Sequence, residues 1–173
     1  MRDDSEQEYV EYVTARVPTL RRLAYALSGD GHRADDLVQQ TITTLYLKWH
    51  RARAADNLDA YVRTMLVRTF VDERRLAWSR VRLFGETPEP APVEESGAEE
   101  RQVLQAALRR VPRRQRSVLV LRFFYDLSVD EVAATLGCSA GTVKSQTSRG
   151  LTALRSLLGS SSLTGHALTT RSN

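Results

Sequence analysis

The side chains in this sequence that are best placed for chemistry are hydrogen-bond donors that follow a glycine-containing turn. They are Ser139, Thr142, Lys144, Ser145, Ser148 and Arg149. Spacings of three and four residues bring side chains together on the surface of one helix. Hydroxyl, ammonium and guanidinium groups on the first turns of such a helix can bond base edges in the major groove of DNA. The pattern predicts a DNA-reading helix that begins near Ala140.

Two capped helices would have to position these donors. Ser128 and Glu131 have the spacing of a capping box, which marks the start of one helix. Gly137 can take the left-handed conformation that ends it, and Ser139 can cap the next helix. We therefore predict a helix-turn-helix over residues 128 to 157. The alternative is a plain helical hairpin whose polar side is merely solvated.

Charge supports the first interpretation, because residues 101 to 158 contain ten basic and three acidic residues. A strongly basic region attracts polyanions such as DNA. The flanking arginines are predicted to contact phosphates, and they are Arg109, Arg110, Arg113, Arg114, Arg116 and Arg122. We expect Lys144→Ala or Arg149→Ala to weaken DNA binding by about 1 to 3 kcal/mol.

The rest of the chain is organised around an acidic linker. Residues 86 to 100 contain three prolines and six glutamates, which neither continue a helix nor bury a face. Apolar residues at helical spacing predict three helices before this segment, the first kinked or restarted at Pro18, and four after it. The fold class is therefore predicted as all-α, with two small helical domains at residues 8–82 and 101–158. A flexible linker at 83–100 joins them, and a disordered tail follows at 159–173.

Several classes of protein are disfavoured by what the sequence lacks. Its 173 residues contain one cysteine and three dispersed histidines, with no nucleotide-binding loop or catalytic triad, so we expect no metal, no cofactor and no enzymatic activity. No apolar run reaches the roughly 18 to 20 residues of a membrane span, and the acidic start does not resemble a signal peptide. We expect a cytoplasmic, nucleoid-associated protein without membrane insertion.

Seven motifs carry a resemblance to a known family. In the first half they are Ala34-Asp-Asp-Leu-Val-Gln-Gln-Thr41, Asp59-Ala-Tyr-Val-Arg63 and Asp72-Glu-Arg-Arg75. In the second half they are Leu121-Arg122, Asp126-Leu127-Ser128, Glu131-Val-Ala133 and Gly141-Thr-Val-Lys-Ser145. The chain resembles a bacterial sigma factor of the extracytoplasmic function (ECF) group of the sigma-70 family, similar to actinobacterial SigE-like members. The resemblance implies a region 2 domain, a region 4 domain and a role in promoter-specific transcription initiation. It implies that the first domain recognises and melts the −10 element, and that the second recognises the −35 element.

The resemblance also implies partners and site residues. Contact with the clamp of the largest subunit of RNA polymerase would fall on Asp35, Asp36, Leu37, Gln39 and Gln40, and region 4 would contact the polymerase flap. The −10 element would be contacted by Trp49, His50, Arg51, Arg53, Asn57, Tyr61, Arg63, Thr64 and Arg68. Factors of this group are monomeric when free and are commonly held inactive by an anti-sigma factor.

Some of these assignments have structural alternatives. Trp49 and Tyr61 also continue apolar stripes, so a core position and a base contact both remain open for them. Asp35 and Asp36 could serve only to stabilise a helix N-terminus. For the whole chain, the alternative is an autonomous helix-turn-helix regulator with an N-terminal helical interaction domain, which would bind two half-sites as a dimer. An enzyme with an appended DNA-binding module is a third class, and no catalytic set supports it.

Overall fold

The structure is a computed structural model that describes residues 2–73 and 98–169. Within these residues, every regular element is a helix. The chain divides into two units, residues 1–90 and 91–173. Both findings confirm the predicted all-α class with two helical domains. Residues 83–97 of the predicted linker lie outside the described residues.

The first unit contains helices α1 (Arg2–Ser28), α2 (Gly31–Leu47), α3 (Trp49–Ala52) and α4 (Leu58–Asp72). Local sequence explains where they begin and end. Gly29 adopts a left-handed φ of 71°, and its amide donates to the Tyr25 carbonyl at 2.7 Å, which ends α1. Asp30 then caps α2 by accepting from the Arg33 amide at 2.9 Å. The side-chain oxygen of Asn57 accepts from the Ala60 amide at 2.9 Å and starts α4.

Pro18 does not interrupt α1, which is a single helix from Arg2 to Ser28. Of the two alternatives predicted for Pro18, a kink or a restart of the helix, the restart is wrong. Proline removes one backbone hydrogen bond, but Pro18 and Thr14 are both exposed, so water can satisfy the carbonyl that loses its partner. Burial of Leu20, Leu23 and Leu27 just beyond the proline stabilises the continuation of the helix.

The core of the first unit lies where α2 packs against both α1 and α4. Its largest fully buried side chains are Leu27, Leu37, Leu45, Val62, Leu66, Val67 and Phe70. The helical periodicity of the sequence predicted most of this core. Thr41 is also wholly buried, because its hydroxyl donates to the Leu37 carbonyl at 2.7 Å and needs no water.

The second unit contains α5 (Ala98–Arg110), α6 (Arg113–Leu119), α7 (Val129–Leu136) and α8 (Ala140–Thr169). The last three residues of the predicted linker, 98–100, belong to α5, because acidic side chains in a first turn favour a helix. Residues 159–169, which were predicted to belong to a disordered tail, continue α8. No proline follows Ala140, so nothing in the sequence forces an established helix to stop.

The helix-turn-helix prediction is confirmed in its details. Ser128 and Glu131 form the capping box at the start of α7. Gly137 ends that helix with a left-handed φ of 64°, and the hydroxyl oxygen of Ser139 accepts from the Thr142 amide at 3.1 Å. Val132 and Val143 are both wholly buried between the helices.

One local feature of the second unit was not predicted. Helix α6 ends in a π-helical turn, Val120–Phe124, in which the Tyr125 amide donates to the Val120 carbonyl at 3.2 Å. Phe124, at the end of this turn, is apolar, yet 54% of its surface is exposed. A π-turn accommodates more residues than an α-turn, so it rotates the later side chains away from the core.

Candidate nucleic-acid interface

One exposed face of α8 carries most of the predicted base-reading residues. Lys144, Ser145, Ser148 and Arg149 are all exposed, whereas Val143 and Gly150 are buried. At about 100° per residue, the four exposed positions lie on the side of the helix opposite the buried ones. The second unit therefore presents two cations and two hydroxyls on a rigid helix.

Ser139 and Thr142 lie at the start of that helix and have a partly structural role. Besides accepting from the Thr142 amide, the Ser139 hydroxyl lies 2.9 Å from the Thr142 hydroxyl. The Ser145 hydroxyl donates to the Thr142 carbonyl at 3.0 Å. These bonds fix the first turn of α8, which sets the position of the exposed donors.

The charge of α8 is entirely positive. The sequence contains no Asp or Glu after Glu131, while Lys144, Arg149 and Arg155 all lie on this helix and are exposed. Arg155 was not among the predicted contacts, although its helical spacing from Lys144 and Ser148 would have identified it. A surface without acidic groups favours a polyanionic ligand.

Two of the arginines that were predicted to contact phosphates also bond backbone carbonyls of the protein. Arg116 is 7% exposed, and its guanidinium donates to the carbonyls of Arg109 and Val111, the latter at 3.0 Å. Its assignment as a phosphate contact is therefore corrected, because it satisfies carbonyls at the end of α5. Arg122 is half-buried and donates to the Leu127 carbonyl at 2.5 Å, just before α7. Arg109, Arg110 and Arg114 are exposed, and Arg113 is half-buried.

In the first unit, the predicted −10 residues fall on α3, on the loop that follows it and on α4. His50, Arg51, Arg53, Asn57 and Arg68 are exposed. Arg53 donates to Glu8 on α1 at 3.0 Å, and Asn57 uses its side-chain oxygen to cap α4. The exposed part of the loop thus begins and ends at residues with defined positions.

Trp49 belongs to the core. It is 7% exposed, and its ring centroid lies 5.4 Å from that of Tyr9 and 5.7 Å from that of Tyr12. Aromatic pairs at these separations stabilise a fold beyond the area that they bury. Of the two alternatives for this residue, the structure favours the core position, because a ring packed on α1 cannot stack on a base without leaving it.

A groove of about 530 Å³ runs between α2 and α4, within the size range of small-ligand sites. Three predicted −10 residues, Tyr61, Thr64 and Arg68, line it together with Gln40 from the predicted polymerase contact. Tyr61 is half-buried and lines this groove, so a base contact stays a prediction for it. Arg63 is also half-buried, and the structure does not place it among the groove residues.

The predicted polymerase contact is mostly accessible. Asp35, Asp36, Gln39 and Gln40 are exposed on α2, but Leu37 is fully buried in the core. The assignment of Leu37 to this surface is therefore corrected. Asp35 accepts from the Arg21 guanidinium at 2.6 Å, and this bond lowers the pKa of Asp35 below its ordinary value.

Within residues 2–73 and 98–169, no three His, Cys, Asp or Glu side chains gather as metal ligands would. No helix in these ranges is long and apolar enough to span a bilayer.

Comparison with known proteins accounts for both units. Residues 12–80 match the family description Sigma-70 region 2, and residues 101–154 match Sigma-70, region 4. The chain is 37% identical over 167 residues to the RNA polymerase sigma-E factor of Streptomyces avermitilis, covering 93% of this chain and 90% of that protein. It is 33% identical over 150 residues to the ECF RNA polymerase sigma factor EcfG of Rhodopseudomonas palustris, covering 84% and 82%.

A solved structure agrees with these relatives. The sigma factor RpoE, crystallised in complex with the anti-sigma factor NepR from Bartonella quintana, matches with a TM-score of 0.72 and 28% identity, over 88% of this chain and 98% of that one. The chain belongs to the sigma-70 family, within its ECF group. Its function is that of an RNA polymerase sigma factor, which is a transcription initiation factor and not an enzyme. The family assignment decides against the autonomous regulator.

Proposed function

We propose that the exposed face of α8 reads the −35 promoter element for RNA polymerase. The observation that carries this proposal is the arrangement of Lys144, Ser145, Ser148 and Arg149 on the side of α8 opposite its buried residues. Side chains of these types bond base edges when a recognition helix lies in the major groove. Exposed Arg114 on α6 and Arg155 on α8 would contact flanking phosphates.

The first unit, in this proposal, binds the −10 element as it opens. The exposed groups of His50, Arg51 and Asn57 lie on α3 and at the end of the following loop. Tyr61 and Arg68 of α4 line the groove between α2 and α4. Stacking on aromatic or guanidinium planes is worth about 1 to 3 kcal/mol per base, so a few such contacts offset local unpairing.

Attachment to the polymerase would use the outer face of α2. Asp35, Asp36, Gln39 and Gln40 lie within two turns of this helix and are exposed. Two carboxylates and two amides suit a partner surface rich in basic and polar groups. Since Leu37 is buried in the core, it would hold α2 in place and not contact the partner.

An anti-sigma factor is the further partner that we propose. The support is that a related sigma factor has been solved in complex with one. Co-expression with the product of the neighbouring gene tests this extension. If that product is an anti-sigma factor, it should bind the chain and block the transcription that the chain directs. Lack of binding would remove that candidate.

The test of the promoter proposal is duplex opening by purified core polymerase on genomic promoter fragments. Permanganate oxidises unpaired thymines, so the −10 region should become reactive only when core and this chain are both present. Reactivity should fall with Asn57→Ala and remain with Arg101→Ala, which removes an exposed arginine from α5, outside the proposed contacts. Failure to open any genomic fragment would overturn the proposal.

A further inference from the structure

The loop between α3 and α4, residues 53–57, is held at both ends by α1. At its start, the Arg53 guanidinium donates to the Glu8 carboxylate at 3.0 Å and to the Ser5 hydroxyl at 3.3 Å. These partners lie 45 and 48 residues earlier in the chain. The contact therefore ties the loop to a different helix.

The far end of the loop has a second tie. Asp59, in the first turn of α4, accepts from the Tyr12 hydroxyl at 2.9 Å through one carboxylate oxygen. Its other oxygen lies 2.6 Å from the Arg16 guanidinium. Burial raises the pKa of Tyr12 above its ordinary value and the bond to Asp59 raises it further, so the hydroxyl remains a donor at any physiological pH.

The helix that supplies these ties is itself fixed to the core. Tyr9 donates to the Ile42 carbonyl of α2 at 2.8 Å, and its ring meets Trp49 edge-on. The Tyr12 ring also contacts Trp49, with 5.7 Å between the ring centroids. The ties to the loop thus start from a rigid support, which is what a positioning contact requires.

The strength of the ties decides what they can do. Glu8, Arg16, Arg53 and Asp59 each keep between 44% and 57% of their side-chain surface exposed. Exposed ion pairs add little to global stability because water screens them. They can still bias which of several loop conformations is populated, because loop conformers differ by similarly small amounts.

We propose that Glu8 and Tyr12 of α1 are positioning residues for −10 recognition, because they hold the two ends of the 53–57 loop. This inference rests on the proposed contact between that loop and the −10 element. It assigns the N-terminal half of α1 a role in promoter specificity, although the helix itself would not touch DNA.

The experiment uses the full chain with core polymerase on two promoter panels, one varied in the −10 element and one in the −35 element. Tyr12→Phe keeps the ring and removes the hydroxyl, and Glu8→Gln removes the charge. We expect discrimination among −10 sequences to fall about threefold in each variant and about tenfold in the double variant, which corresponds to roughly 0.6 and 1.4 kcal/mol. Discrimination among −35 sequences should not change.

A matched control and a direct measurement separate positioning from general damage. Gln7 is the neighbour of Glu8, and its side-chain amide donates to Glu11 on α1 at 3.0 Å, not to the loop. Gln7→Ala should therefore leave discrimination on both promoter panels unchanged. Hydrogen exchange of the Ala55 and Ala60 amides should be faster in the double variant, while the amides of the core helices exchange as in the parent.

The outcomes distinguish the inference from the function on which it rests. If Asn57→Ala fails to alter −10 discrimination, the proposed loop contact is wrong. If Asn57→Ala alters it but the Tyr12 and Glu8 variants do not, the positioning inference alone is overturned. Increased use of every −10 sequence by Glu8→Gln would also overturn it, since Glu8 would then merely compete with DNA for Arg53.

Discussion

Gly150 on α8 lies so close to Leu119 on α6 that a Cβ atom at Gly150 would stand 3.1 Å from the leucine Cγ. It would also stand 3.4 Å from the Gln115 Cβ. Real Cβ atoms rarely approach other atoms so closely, because carbon atoms repel each other inside their favourable separation of about 3.5 to 4.0 Å. The absence of a side chain at Gly150 is therefore what allows α8, with its exposed donors, to dock on α6.

Gly150→Val should destabilise the second unit. Valine forms a helix slightly better than glycine, but the clash with Leu119 should cost about 1 to 3 kcal/mol. Chemical denaturation followed by circular dichroism measures this change. Gly159→Val is the matched control, because nothing lies within 4 Å of a Cβ at that glycine of the same helix. Equal stability of the two variants would show that the close crossing is not needed.

Arg116→Met should also destabilise the second unit, although it removes a residue that the sequence suggested for DNA binding. The carbonyls of Arg109 and Val111 would lose a charged donor in a buried position, at a cost of about 1.5 to 3 kcal/mol. Arg114→Met, at an exposed neighbour on α6, should change the free energy of unfolding by less than about 0.5 kcal/mol. Thermal unfolding distinguishes the two, and similar midpoints would argue against a structural Arg116.

Trp49 offers a test of core against base contact in the first unit. Trp49→Ala should cost about 3 to 5 kcal/mol of stability, because it empties the space against Tyr9 and Tyr12. Trp49→Phe keeps an aromatic ring there, so it should lose less stability than Trp49→Ala. It should also open promoters nearly as well as the parent. If a stable Trp49→Phe protein no longer opened promoters, Trp49 would have to contact DNA directly.

The bond between Asp35 and Arg21 should be detectable as a lowered pKa of Asp35. The depressed pKa means that the pair stabilises the folded state above the unfolded pKa of about 3.9, and that this contribution is lost as the pH falls through the lower, folded pKa. Arg21→Gln should raise the pKa of Asp35 in an NMR titration of its carboxyl carbon. Arg22→Gln, whose guanidinium donates to Thr19 at 3.3 Å, should leave that pKa unchanged. An identical pKa in all three proteins would contradict the pair.

The sequence predicted those elements whose signals are local. Helical periodicity, the Ser128 capping box and the left-handed Gly137 depend on residues within one or two turns, so the helix-turn-helix could be predicted in detail. The structural role of Arg116 could not be predicted in this way, because it depends on carbonyls at the end of a preceding helix. The local sequence around an arginine in a basic segment does not indicate whether its guanidinium faces solvent or protein.

The same limit applies to residues with two possible roles. Trp49 and Leu37 fit both an apolar stripe and a functional motif, and only the packing of α1 and α4 around them shows that both are core residues. The ties from Glu8 to Arg53 and from Tyr12 to Asp59 join residues more than forty positions apart. Contacts of that kind come from tertiary packing, which single-sequence patterns do not contain.

The central claim, that the exposed face of α8 reads the −35 element, is tested most directly by run-off transcription with reconstituted polymerase. Lys144→Ala and Arg149→Ala would each be compared with the parent on a native promoter and on one with a scrambled −35 element. Loss of one base contact should lower transcription from the native promoter by the equivalent of about 1 to 3 kcal/mol. On the scrambled promoter the variants should match the parent. Equal losses on both promoters, or no loss on either, would contradict the claim.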